Sequence, residues 1–227
     1  MDYAGRRDRL RRLLRRQGLE GLLVTDRLNV TYLTGFTGED SFLLVWRAGE
    51  SLLTDARFSQ QVEEECPGLE AAVRPVGSTM IEAVRRVVRK AHVGLLGLEA
   101  ENVSVGFFDR ISARLSGVEL VKTTGLVEQL RQIKQPEELE RIRRAIGQAE
   151  RAFGAMRAAL QGEKTELQLA HELEMHVRAF GAIGSSFSAI VASGERSALP
   201  HARPKPIAVG LSPILLVDWG ANEGLYQ

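Results

Sequence analysis

Short apolar runs at Gly21–Thr25, Phe42–Trp46 and Ser51–Thr54 are separated by turn-rich segments and predict strands of a mainly buried sheet. A helical stretch at Thr79–Lys90, an apolar run at Val93–Glu99 and a second helical stretch at Val105–Leu115 follow. Strands and helices therefore alternate, as in an α/β domain whose helices cover a sheet. Ahead of them, Leu10, Leu13 and Leu14 share one helical face, and Arg6, Arg7, Arg9, Arg11, Arg12, Arg15 and Arg16 surround it until Gly18 ends the helix. No aromatic residues interleave for base stacking, so this basic segment reads as a solvated amphipathic helix rather than a nucleic-acid arm.

The pattern changes after Leu126. Pro136 suits the first turn of a helix, where its missing N–H costs nothing. Leu139, Ile142, Ile146, Ala149, Phe153, Met156 and Leu160 then recur at spacings of three and four and predict one long, half-buried helix. Thr165 and Gln168 have the spacing of a capping box, with Ala170, Leu173, Val177 and Phe180 as the inward face of the helix they open. Ala189–Ser193 and Pro213–Asp218 are strand-like, so the second part is α+β in its order of elements.

A length of 227 residues exceeds one typical domain, and two unequal domains are expected, over 1–127 and 128–227. With 44% hydrophobic and 26% charged residues the composition is that of an ordinary globular protein. A net charge of +1 gives no general electrostatic reason for a nucleic-acid or membrane partner. The single cysteine, Cys66, has no disulfide or thiolate partner and reads as a packing residue of a reducing compartment. No apolar run approaches the roughly 18 residues that span a bilayer, and a cytoplasmic location is expected.

Few residues offer chemistry. Asp218 follows Ile214, Leu215, Leu216 and Val217, and a carboxylate ending a buried strand needs a cation, a donor or water. The turn formers of Gly220–Gly224 predict a hairpin that returns a strand beginning near Leu225 alongside it. Asp218 is then either half of a metal-binding carboxylate pair or an aspartate capping its own turn. His201 sits between Pro200 and Pro204 in a stiffened loop, where an imidazole can donate to a carbonyl or shuttle a proton. His171 and His176 are separated by about 140° around a helix and cannot share an ion. Phosphate-loop, nucleophile-elbow and zinc-finger patterns are absent.

At these residues the chain resembles the pita-bread metallopeptidases, specifically prolidases and Xaa-Pro aminopeptidases with a creatinase-type N-terminal domain. Asn29-Val-Thr-Tyr-Leu-Thr-Gly-Phe36 and Leu53-Thr-Asp-Ala-Arg57 resemble signatures of that N-terminal domain, and Arg131-Gln-Ile-Lys-Gln-Pro-Glu-Glu-Leu139 resembles the segment opening the catalytic domain. Phe187-Ser-Ala-Ile-Val-Ala-Ser-Gly194, Ala198-Leu-Pro-His201 and Val217-Asp-Trp-Gly-Ala221 resemble the start of the catalytic core.

The resemblance implies an α/β creatinase-like domain followed by the first part of an α+β pita-bread domain. It implies hydrolysis of the Xaa-Pro bond in dipeptides or at peptide N-termini by two divalent ions, manganese, cobalt or zinc, which activate a bridging water. Asp218 corresponds to the first metal-bridge carboxylate, His201 to the histidine that hydrogen-bonds the scissile carbonyl region, and Phe187 and Ile190 to residues lining the substrate pocket. A homodimer is implied as well. Four of the family's five metal ligands have no counterpart in the 227 residues, the next one falling just after Gln227. The chain is thus expected to be the front portion of such an enzyme, C-terminally truncated, holding no metals stably and inactive alone. The alternative expectation is a metal-free peptide- or protein-binding module of the same fold.

Overall fold

A computed structural model describes all residues, 1–227, in two compact units, Met1–Ile133 and Lys134–Gln227. The first unit runs α1 (Tyr3–Arg16), β1 (Gly21–Val24), α2 (Arg27–Thr34), β2 (Phe42–Trp46), β3 (Gly49–Asp55), α3 (Ser59–Glu65), β4 (Ala71–Arg74), α4 (Met80–Lys90), β5 (Leu95–Glu99), α5 (Val105–Arg114), β6 (Glu119–Thr123) and α6 (Leu126–Gln132). Its six strands form one mixed sheet in the order β4-β3-β2-β1-β5-β6. β1 lies in the middle, antiparallel to β2 and parallel to β5, and all four of its residues are buried. That burial on both faces is why the sequence shows a continuous apolar run there instead of an alternation. On one face Leu23, Leu44, Leu53, Leu96 and Leu98 pack against Ala83, Val84, Val87 and Val88 of α4 and Ile111 of α5.

Five elements of this unit, α2, α3, β4, β6 and α6, escape the hydrophobic pattern. The edge strands β4 and β6 are largely half-exposed and carry too little apolar alternation to stand out. Helix α2 is built from Val30, Thr31, Tyr32 and Thr34, residues that lose rotamer freedom in helices. It forms because Asp26 accepts the Asn29 N–H at 2.9 Å as N-cap and Gly35, at φ 85°, closes the last turn. The sequence boundary at 127/128 would cut α6 after its second residue, whereas the first unit keeps that helix whole, packed against α1 and α2.

Arg6 corrects the reading of α1 as a helix with its arginines in solvent. It is 1% exposed, lies 4.0 Å from the centre of the Tyr32 ring and donates to the Tyr32 carbonyl at 2.8 Å. The Tyr32 hydroxyl in turn donates to the Leu130 carbonyl at 3.0 Å. Cys66 is a buried packing residue, and burial pushes its thiol up to about 11.

Buried Asn29 organises the other end of this unit. Its Nδ2 donates to Glu99 at 2.7 Å and to Glu128 at 2.6 Å, while Arg131 donates to its Oδ1 at 2.9 Å. Glu99 also accepts the backbone N–H groups of Thr25 and Asp26 at 2.6 and 2.8 Å. One amide thereby joins α2, β5 and α6.

The second unit runs α7 (Pro136–Ala158), α8 (Glu166–Ala179), β7 (Gly184–Ser185), β8 (Ile190–Ser193), β9 (Leu215–Asp218) and β10 (Ala221–Asn222). The capping box is present, with Thr165 and Gln168 exchanging hydrogen bonds at the start of α8. The inward face of α7 is rotated from its apolar stripe and shares with it Met156 and the partly buried Ala149 and Phe153. Glu138, Ala145, Gln148, Ala152 and Met156 are buried, and Leu139, Ile146 and Leu160 are exposed. Small alanines admit α8 to close range, and Glu138 is satisfied by the Gln135 N–H at 2.8 Å and the Tyr226 hydroxyl at 2.9 Å. The strands pair as two separate ribbons, β8 with β9 and β7 with β10.

Two outcomes are expected for the first unit. Asn29→Ala removes three hydrogen bonds that join α2, β5 and α6, leaving Glu99 to its Thr25 and Asp26 donors, and costs about 2 kcal/mol. Urea unfolding read by Trp46 in a Trp219→Phe background measures it, and an unmoved midpoint would remove the network from the stability account. Asp55 at the end of β3 is held down to about 2 by side-chain hydrogen bonding from Arg57, against the opposing effect of burial and with further help from Arg74. Because this folded value is depressed, its contribution is present above the ordinary carboxylate range and is lost as pH falls from there through about 2. Asp55→Asn should therefore flatten part of the acid limb of stability against pH, measured as urea midpoints from pH 5 downward.

Candidate active site

Strands β8 and β9 pair antiparallel with Ile190 opposite Asp218, Val191 opposite Val217, Ala192 opposite Leu216 and Ser193 opposite Leu215. Opposed residues share a face and successive residues alternate, so the ribbon has two distinct sides. Val191, Leu215 and Val217 pack on a core made of Ala152, Met156, Leu169, Leu173 and Val177 from α7 and α8. Ile190 and Ala192 point the other way and cluster with Ala202. Asp218 belongs to that second side.

The residue after Asp218 anchors the strand end. Trp219 stacks on Phe153 with ring centres 4.3 Å apart and planes 15° apart, and its indole N–H donates to the Ala149 carbonyl at 2.9 Å. An inward Val217 and an inward Trp219 leave Asp218 between them with no direction but outward. The carboxylate is exposed, which corrects its expected place in a buried environment. The chain reverses between Glu223 and Tyr226, which form an antiparallel bridge as the expected hairpin requires, while β10 pairs with β7, Ala221 opposite Ser185 and Asn222 opposite Gly184. The Ile183 and Ser186 N–H groups donate to the Asn222 and Gly220 carbonyls.

His201 lies in the long loop between β8 and β9, and its side chain is exposed. Its neighbour Ala202 is 4% exposed and packs on Ile190 and Ala192, which brings the histidine's backbone to the Asp218 side of the ribbon. Ile190 is 9% exposed, directly across from Asp218. Phe187 is 43% exposed, and its ring is close enough to Gly220 that a Cβ there would sit 3.6 Å away. Four residues singled out in the sequence, His201, Ile190, Phe187 and Asp218, thus gather around one ribbon. His171 and His176 remain apart on α8.

Glu166 was not among them. It is the first residue of α8, is fully buried, and accepts five hydrogen bonds from three residues of the β8 end and the loop. The Ser193 N–H and hydroxyl reach it at 2.8 and 2.9 Å, the Lys205 N–H at 3.0 Å and Arg196 Nε at 3.2 Å. Burial pushes this carboxyl up, but the donors from Ser193, Lys205 and Arg196 outweigh it and hold the group below the usual carboxylate range. A glutamate in a first helical turn ordinarily complements the helix dipole in solvent, so nothing in the local sequence marked this one as buried.

No three His, Cys, Asp or Glu side chains converge to a possible metal centre. Two dications need several carboxylates to balance them, so Asp218 and His201 alone do not fit a dinuclear site. No helix is long and apolar enough to cross a membrane.

Residues 6–133 match the Creatinase/Prolidase N-terminal domain family and residues 140–226 match metallopeptidase family M24. The uncharacterised peptidase YqhT of Bacillus subtilis is 33% identical over 94% of this chain and 60% of its own length. Among solved structures, the Xaa-Pro dipeptidase from Bacillus anthracis superposes with a TM-score of 0.89 at 29% identity, covering 97% of this chain and 62% of that one. The X-Pro aminopeptidase from Thermotoga maritima MSB8 superposes with a TM-score of 0.82 at 32% identity, covering 90% of this chain and 59% of that one. The chain therefore spans about 60% of the length of the relatives it matches. With an α/β first unit and a second unit that carries the opening part of the pita-bread fold, the chain belongs to the creatinase/prolidase N-terminal domain family and to metallopeptidase family M24.

Proposed function

We propose that this chain supplies the first half of a metal-dependent active site that hydrolyses the bond before proline in dipeptides or at peptide N-termini. The observation that carries the reading is the pairing of Ile190 with Asp218 on the side of the ribbon that faces away from the helical core, with Ala202 packed beside them. A carboxylate held outward by inward neighbours on both sides is free to bind a cation. In this reading Asp218 is a metal ligand, His201 stabilises charge developing on the scissile carbonyl oxygen, and Phe187 and Ile190 receive apolar parts of the substrate. Divalent ions, with manganese, cobalt and zinc as the candidates, would polarise the carbonyl and activate water once further ligands complete the site. The reading also carries a cytoplasmic location and a homodimer, and light scattering on the eluting protein tests the dimer.

The peptidase reading is tested on the protein in its full natural length, with intact mass and metal content measured beside Xaa-Pro dipeptide turnover with and without manganese. Asp218→Asn should lower metal-dependent turnover by about 100-fold or more, and His201→Ala should lower kcat by roughly 100- to 1,000-fold. The 227-residue chain by itself should show no turnover. Hydrolysis that survives chelation, or that is indifferent to Asp218→Asn, would sink the reading. Peptide binding without metal and without turnover would favour a binding module instead.

A further inference from the structure

The loop that carries His201 leaves β8 at Ser193 and returns to the helical layer near Lys205, and both of its ends meet the same buried carboxylate. Glu166 Oε1 accepts the Ser193 N–H at 2.8 Å and Oε2 accepts the Lys205 N–H at 3.0 Å. Arg196 closes the arc from inside: its Nε donates to both carboxylate oxygens at 3.2 Å, and its Nη2 donates to the Arg203 carbonyl at 2.6 Å. The first turn of α8 adds two rungs, with the Glu166 and Leu167 N–H groups donating to the carbonyls of Ile207 and Lys205 at 3.0 and 3.1 Å. Within the arc, Leu199 N–H donates to the Arg196 carbonyl at 3.1 Å and Ala202 is pressed on Ile190 and Ala192. His201 itself makes none of these bonds; its position is inherited from them.

We propose that Glu166 is a positioning residue for His201, clamping both ends of the 193–205 loop so that the imidazole is held at the Asp218 side of the β8–β9 ribbon. The chemistry favours a carboxylate for this task. Its two oxygens accept all four donor groups at once, whereas a glutamine would turn an NH2 group toward at least one of them and leave that donor unpaired in a buried place. The geometry is more than support for α8, because that helix already has its own N-cap in Thr165 with the reciprocal Gln168 contact. The functional half of the inference rests on the peptidase reading of His201; the structural half does not.

The test is nuclear magnetic resonance on the 227-residue chain with labelled histidine and backbone amides, comparing wild type, Glu166→Gln and Arg196→Met. There are only four histidines, and His201→Gln assigns the signal of interest. In Glu166→Gln the His201 ring signal should shift and lose order, and the Leu199 amide should exchange about tenfold faster or more, while Leu173 and Val191 amides in the core keep their protection. Arg196→Met, which leaves the Ser193 and Lys205 contacts in place, should show the same changes to a lesser degree. In the full-length protein Glu166→Gln should lower kcat at an unchanged KM. A lowered melting temperature with His201 and Leu199 signals superposed on wild type would overturn the proposal. If Glu166→Gln fails to fold, unchanged His201 order in Arg196→Met overturns it equally. Absence of Xaa-Pro hydrolysis in the wild-type full-length protein would remove the peptidase reading while the loop measurements still decide the clamp.

Discussion

A period of two residues along β8 and β9 decides what the second unit can offer. Every inward side chain commits its neighbours to the opposite side. With Val191, Leu215 and Val217 buried on α7 and α8, Ile190, Ala192, Leu216 and Asp218 have to face outward. A slip of β9 by one residue would turn the Asp218 carboxylate onto the helical core and expose Leu215 and Val217. The register is therefore fixed by hydrophobic burial, and the outward carboxylate is its consequence. Trp219 strengthens the constraint at the end where it matters most, since its indole is stacked and hydrogen-bonded on α7.

Both units use the same device where chain segments from different elements must be held together. In the first unit Glu99 receives the N–H groups of Thr25 and Asp26 and the amide of Asn29. In the second Glu166 receives those of Ser193 and Lys205. A carboxylate moved from water into a protein interior is costly unless donors replace its hydration, and backbone N–H groups at loop ends are donors that also need partners. Satisfying both at once ties a loop to a scaffold without apolar area. The balance differs between the two. Around Glu166 the donors outweigh burial and the carboxyl lies below its ordinary range, whereas burial dominates at Glu99 and raises it.

The outward side of the β8–β9 ribbon joins chemistry to apolar surface. Phe187, Leu199 and Leu216 are exposed on the same stretch of chain as Asp218 and His201, so apolar and polar groups share that side.

The sequence by itself determined the alternation of strands and helices in the first unit, the capped start of α8, the run that becomes β9 and the motifs that mark Asp218 and His201. These are set by local periodicity, by capping chemistry and by residue order, which need no long-range information. The positions of α2, β4 and β6 were not legible, since β-branched residues in a helix and half-exposed edge strands oppose their own propensities and exist because tertiary contacts outweigh them. The inward face of α7 is rotated from its apolar stripe because alanines and a hydrogen-bonded glutamate pack against a close neighbour at its N-terminal half, while Met156 of the stripe stays buried. Only the tertiary structure decided that Asp218 faces outward, that β10 pairs with β7, that Arg6 is buried and that Glu166 holds both ends of the His201 loop. Each of these depends on residues far apart in sequence arriving at one place, where burial and hydrogen bonding, rather than local pattern, set the outcome.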